Sequence, residues 1–155
     1  MKAGAEMFNR SHVPVEVSVN IMDLMWDKVL VNVGGGALSA IKRLTYDGLY
    51  SLPSLEQCSI AAIAEGSSVA HASGVQPSIT DPRQTWMKAS AGLPRQFETS
   101  MLQSLERGSA TEVDFIHGSV VCWGERRGVP ASVNNTLVAC VKGIEFALTG
   151  YPGRD

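Results

Sequence analysis

The residues with the clearest capacity for chemistry are a lysine and an asparagine one helical turn apart, Lys28 and Asn32. Positions i and i+4 are neighbours on one helix face. At about 100° per residue, the pair sits inside an apolar arc between Leu24 and Met25, away from Asp23 and Asp27 on the opposite side. A lysine in such an arc either snorkels to water or meets an acid or a ligand. The first outcome makes Lys28 an ordinary cation, and the second makes it a general acid poised by burial. Asn32 offers two donors and an acceptor, enough to hold a substrate or to satisfy a buried backbone group.

Two further residues invite the same double reading. Ser100 opens Ser100-Met101-Leu102-Gln103, which matches a capping box and predicts a short helix from Met101 to Gly108. Capping alone accounts for the serine, but a helix N-terminus with a hydroxyl is also a place for a carboxylate. Glu112 falls in the first turn of a helix predicted to open at Thr111 or Glu112, where acids ordinarily stabilise the macrodipole. His117, on the same predicted helix, has no partner pattern and reads as a surface or packed histidine. Cys58, Cys122 and Cys140 are scattered, without a C-x-x-C pair, and no H-E-x-x-H is present. We therefore expect no disulfide framework and no metal site, and a reducing, cytoplasmic setting.

These residues need helices to position them, and helical patterning dominates the chain. Residues 1–14 are polar and read as a loose segment. Val13, Val15, Val17 and Val19 alternate with polar residues or proline, a short extended stretch. A long, largely buried helix follows from Ile21 to Arg43, with Ile21, Leu24, Met25 and Val29 on one side. Leu44 to Gly48 reads as a turn. A second long helix runs from Pro53 or Ser54 to about Ser73, with Ser54 as a possible cap. A third starts at Pro82 behind Asp81 and runs to about Ala91. The helix from Thr111 or Glu112 runs to about Arg127 and stops at Gly128-Val129-Pro130, and Ser132 caps the last, to about Leu148.

The run Val29-Leu-Val-Asn-Val33 followed by Gly34-Gly35-Gly36 imitates a strand and a phosphate loop. Its spacing is not G-x-G-x-x-G, and no second β-rich run with a terminal acid follows. The alternative is a helix whose glycines cost about 1 kcal/mol each relative to alanine, recovered by burial or required by close backbone approach. At 155 residues the chain is one domain. With 45% hydrophobic and 18% charged residues it should fold, and a net charge of −2 removes the electrostatic case for nucleic acid. No apolar run is long enough for a membrane span.

Taken together, the segments resemble the C-terminal domain of the ketopantoate reductase (2-dehydropantoate 2-reductase) family. The matching stretches are Met25-Trp26-Asp27-Lys28-Val29-Leu30-Val31-Asn32, Ser100-Met101-Leu102-Gln103, Thr111-Glu112-Val113-Asp114-Phe115-Ile116-His117-Gly118, and Gly128-Val129-Pro130 with Asn134 and Leu137 beyond. The likeness runs from about Val15 to Thr149 and is weakest over 50–95. It implies an all-α, multi-helix domain over 15–150, like the C-terminal domains of ketopantoate reductase and 6-phosphogluconate dehydrogenase. It also implies the substrate half of an NADPH-dependent 2-oxo acid reductase, the Rossmann half lying outside this chain, and a homodimer.

By the same resemblance, Lys28 is the general acid that protonates the ketone oxygen, and Asn32 hydrogen-bonds the substrate. Ser100 holds the substrate carboxylate, and Glu112 organises Lys28. The chain departs from the family at three places. Gly36 stands where a second asparagine is usual, Ser104 replaces the aspartate of a Gln-Asp pair, and Ser109 replaces an arginine. The first departure removes a substrate hydrogen bond and is expected to open space, so a different or larger 2-oxo acid is anticipated. The competing expectation is a stand-alone helical module whose old catalytic face serves only binding or dimerisation. A nucleotide-binding protein using Gly34–Gly36 is a third.

Overall fold

The computed structural model describes residues 7–13 and 20–149, and among these it holds a short helical segment at 7–10, seven further helices and no strand. The seven are α1 (Ile21–Lys42), α2 (Tyr46–Tyr50), α3 (Pro53–Ala72), α4 (Pro82–Lys88), α5 (Ser100–Glu106), α6 (His117–Arg127) and α7 (Ser132–Thr149). The all-α expectation is met. The extended stretch expected over Val13–Val19 lies, beyond Val13, outside the described residues. Within the segment 1–14, residues 7–10 are helical and exposed, and Ser11 N and Val13 N donate to Phe8 O, each at 3.0 Å.

α1 and α3 form the centre. α1 packs on α2, α3, α4, α5 and α7, while α3 also meets α2, α4, α6 and α7. The core stripe of α1 is Trp26, Leu30, Val33, Ala37 and Ala40. The expectation of a largely buried helix holds for its second half only, since Ile21, Leu24 and Met25 near its start are 59%, 54% and 56% exposed. A helix that is apolar all round has no moment to choose its face, and the small residues from position 33 onward decide the packing instead. Asp23 and Asp27 accept from Gln76 N (3.0 Å) and Ser78 N (2.8 Å), tying the loop before α4 to α1.

Gly34, Gly35 and Gly36 are buried inside α1, which disposes of the phosphate-loop reading. A Cβ at Gly34 would stand 3.3 Å from Ile63 Cδ1, at Gly35 3.2 Å from Tyr46 Cε1, and at Gly36 3.2 Å from Met101 Cε. Three large side chains from three other elements thus reach the α1 backbone, and Ser59 Oγ donates to Gly34 O at 2.5 Å. Close approach, not phosphate binding, explains the glycines.

Several boundaries move. The turn expected at Leu44–Gly48 is largely the short helix α2, with Gly48 inside it. α3 begins at Pro53 without a side-chain cap, so Ser54 caps nothing; proline at the first position lacks the N–H that would need one. Asp81 does cap α4, its carboxylate accepting from Arg83 N, but α4 ends at Lys88 and gives way to turns. The cap of α5 is Thr99, whose Oγ1 accepts from Leu102 N at 3.3 Å; Gln103 Nε2 donates to Glu98 O instead of closing a box on Ser100. α6 starts at His117, five residues after Glu112. Gly128 ends it in the left-handed conformation, as expected. α7 begins at Ser132, and its first free amides are taken by Glu65 of α3.

Candidate active site

Asn32, halfway along α1, and Ser100, first residue of α5, line one small cavity of about 40 Å³. Gly36, Tyr46, Thr99, Met101 and Ile116 complete its wall. The cavity exists because α5 crosses α1 at the glycines, bringing the start of α5 over the turn that follows Asn32. Ser100 is exposed, and because Thr99 does the capping its hydroxyl is uncommitted. α5 has only seven residues, so the anchoring capacity here is the hydroxyl itself.

Gly36 does not open space, contrary to expectation. Met101 Cε and Sδ fill the position that a larger residue would occupy, at 3.2 and 3.3 Å from a Cβ there. The missing side chain is replaced by a thioether from α5, and what remains is a small recess with the exposed Ser100 on its wall.

Lys28 lies one turn before Asn32 on α1 and is exposed. Nothing among the described residues covers that flank of α1. Glu112 is exposed as well and sits in a turn, not in the first turn of a helix. Its carbonyl accepts from Phe115 N and Ile116 N, each at 3.0 Å, which curls the chain so that Ile116 reaches the cavity wall. Lys28 and Glu112 form no ion pair here; the four ion pairs among the described residues lie elsewhere.

The Glu112 turn is held from α7. Glu145 accepts from Thr111 N (2.6 Å) and Thr111 Oγ1 (2.7 Å), and Lys142 bridges Glu145 (3.0 Å) and Asp114 (2.8 Å). Burial pushes the Glu145 carboxyl up, but the two Thr111 bonds and Lys142 outweigh it and leave the carboxyl below its ordinary value. His117 is fully buried, as a packed histidine. Its Nδ1 lies 2.9 Å from Asn134 Oδ1. No group of three or more metal-ligating side chains occurs among the described residues. No helix there is long and apolar enough to cross a membrane.

Sequence reasoning missed Glu65, Glu145 and Tyr46. Glu65 had a signal, being the one carboxylate in the small, apolar second half of α3. Tyr46 was hidden inside a presumed turn.

Comparison with known proteins bears on the family and the fold. A family model described as ketopantoate reductase PanE/ApbA C terminal matches residues 20–145. A 2-dehydropantoate 2-reductase of Archaeoglobus fulgidus is 32% identical over 145 residues, covering 93% of this chain and 48% of the relative. The crystal structure of a PanE/ApbA family ketopantoate reductase from Ralstonia eutropha JMP134 superposes with a TM-score of 0.88 at 32% identity, over 96% of this chain and 49% of that one. D-mandelate dehydrogenase, at 20% identity and a TM-score of 0.85, shares the fold. The chain spans about half the length of the curated relatives it matches. With the matched motifs, the helical order and the superposition in agreement, the chain belongs to the ketopantoate reductase family and corresponds to its C-terminal helical domain.

Proposed function

We propose that this chain is the substrate-holding, proton-donating half of a 2-oxo acid reductase, reducing 2-dehydropantoate or a related 2-oxo acid to the 2-hydroxy acid. The observation that carries the reading is the cavity shared by Asn32 and Ser100, with the turn of Glu112 reaching its wall at Ile116. In this reading the Ser100 hydroxyl donates to the substrate carboxylate, and the Asn32 amide orients the ketone. The Lys28 ammonium, one turn away, hands its proton to the ketone oxygen as that oxygen gains charge. Glu112 organises Lys28 once the site closes.

The cofactor, NADPH by the resemblance, finds no cradle among the described residues, since Gly34–Gly36 are sealed in the core. The chain therefore works with a separate Rossmann domain, in cis or in trans. The bare apolar flank of α1, and Phe115 at 77% exposure beside the Glu112 turn, suit a surface that another body covers. Such a cover would also withdraw Lys28 from water, which this chain alone does not do. A homodimer and a cytoplasmic setting are the remaining parts of the reading.

The test is reconstitution. The chain joined to, or mixed with, the Rossmann domain of a relative should oxidise NADPH in a 2-oxo acid-dependent manner. Lys28→Ala should abolish that turnover, and full activity in that variant would remove Lys28 from the role. Absence of turnover in every reconstituted form would favour a binding or dimerisation module.

A further inference from the structure

Glu145 is a carboxylate on the inward face of its helix. The stripe that α7 turns to the interior is Asn134, Leu137, Val141 and Glu145, all buried. A buried charge is unfavourable unless it is paired and hydrogen-bonded, so its partners show what this one holds. One oxygen accepts from Thr111 N (2.6 Å) and Thr111 Oγ1 (2.7 Å). Thr111 Oγ1 accepts in turn from Val113 N at 3.2 Å. Thr111 and Val113 are both buried, and Glu112 between them is exposed. The chain is thus anchored on both sides of Glu112, and its side chain is sent outward. Lys142 holds the outer edge of the same turn, reaching Asp114 at 2.8 Å and Glu145 at 3.0 Å.

The helix that supplies this anchor also touches the rest of the site. α7 packs on α1, which carries Lys28 and Asn32, and on α5, which carries Ser100. Leu137 and Val141 seat it in the common core. Glu145 therefore ties the Glu112 turn to the same body that holds the other three candidate residues. An apolar residue at 145 would fill the stripe without desolvating a charge, but it could not accept both Thr111 donors. Hydrogen bonds give the turn a direction, which apolar contact does not.

We propose that Glu145 is a positioning residue for the reduction: acting through Thr111, it sets the direction from which Glu112 meets Lys28. The proposal rests on the role of Glu112 given above. Glu145 and Thr111 are not part of the lining of the cavity that holds Asn32 and Ser100, so both act at one remove from the substrate.

The test uses the 155-residue chain joined to the Rossmann domain of a relative, with 2-dehydropantoate as substrate and kcat expressed per folded enzyme. Glu112→Gln is the reference and should lower kcat. Glu145→Ala should lower kcat about tenfold through misplacement of Glu112. KM should stay within about twofold, because the Asn32 and Ser100 contacts are untouched. Glu145→Gln keeps an oxygen that can accept both Thr111 donors and should recover most of the loss. A role in stability alone would leave kcat per folded enzyme unchanged in both Glu145 variants. Thr111→Val keeps the shape, loses the hydroxyl and should also lower kcat, less than additively with Glu145→Ala because both act on one path. It decides the matter if Glu145→Ala fails to fold. Unchanged kcat in Glu145→Ala and Thr111→Val beside an impaired Glu112→Gln, or equal losses in Glu145→Ala and Glu145→Gln, would overturn the positioning role and leave that of Glu112 intact. Absence of turnover, or a Glu112→Gln enzyme as fast as its parent, would overturn the role of Glu112 and this proposal with it.

Discussion

Asn134 of α7 faces His117 of α6 with Oδ1 2.9 Å from Nδ1, and that contact decides which ring nitrogen carries the proton. The Asn134 Nδ2 donates to Ala62 O (3.0 Å) and Glu65 Oε2 (2.8 Å), so Oδ1 is the acceptor and Nδ1 the donor. Nε2 is then a bare acceptor, buried without a partner among the described residues. Glu65 also receives Val133 N (2.9 Å) and Asn134 N (3.0 Å), capping α7 from α3. One carboxylate and one amide thereby lock three helices together.

Asn134→Ala removes both of its donated bonds and the acceptor of His117 at once. With groups left unpaired in a dry interior, we expect a loss of about 2–4 kcal/mol. Urea unfolding should show a lower midpoint with an unchanged slope. A loss below about 0.5 kcal/mol, the level of an ordinary surface substitution, would show that the network is not what joins α6, α7 and α3.

Burial lowers the His117 pKa from 6.5 to about 4, against the smaller raising effect of the Asn134 bond. The folded state therefore favours the neutral ring, and below pH 6.5 the unfolded chain binds a proton that the folded chain refuses. This contribution to stability is full above 6.5, falls as pH drops, and is gone below 4. Its size is on the order of 3 kcal/mol. Glu145 is lowered from 4.5, so its contribution is lost only at more acid pH and does not mask the upper part of the window. Thermal melts between these limits should show the decline, and His117→Phe, with no titratable ring, should flatten it.

Glu145→Ala frees Thr111 and one contact of Lys142, unpinning the turn that carries Glu112. A cost of about 1–3 kcal/mol is expected from the unpaired Thr111 groups. Amide exchange should quicken across 112–116 while that of α4 holds. Uniform quickening everywhere would show a global loss of stability, not release of one turn.

The helices were legible because their stops are chemical. Asp81 before Pro82, Gly128 before Val129-Pro130, and the proline at 53 each act through local backbone geometry, and each marks an observed boundary within one or two residues. The face of α1 was not legible, since Ile21, Leu24 and Met25 match Trp26 and Leu30 in polarity, and packing partners far away in sequence made the choice. Capping misled for a similar reason: Thr99 and Ser100 are both competent, and only the direction of the incoming chain selects the threonine. Asn32 and Ser100 were named from motif spacing and do share a cavity. Tyr46 was beyond reach, because its place depends on bonds to residues 95 and 97 across a long loop.

The glycines give a paired test of whether packing or propensity rules each helix. At an unobstructed helical site, glycine to alanine gains about 1 kcal/mol. Gly143 on α7 is such a site, exposed and with nothing within 4 Å of an added Cβ. Gly143→Ala should raise the melting temperature. Gly66 on α3 is the opposite: its Cβ would stand 2.7 Å from Leu30 Cδ2, and Leu30 is buried in the core at 1% exposure. The intrinsic gain is the same, but the α1–α3 contact must spread, and overpacking of this kind costs about 1–3 kcal/mol. Gly66→Ala should therefore destabilise, and Gly66→Ala with Leu30→Val should recover part of the loss, because the shorter side chain withdraws the clashing methyl. If Gly66→Ala stabilised the chain as Gly143→Ala does, α1 and α3 would not be in the close contact that forms the centre of this fold.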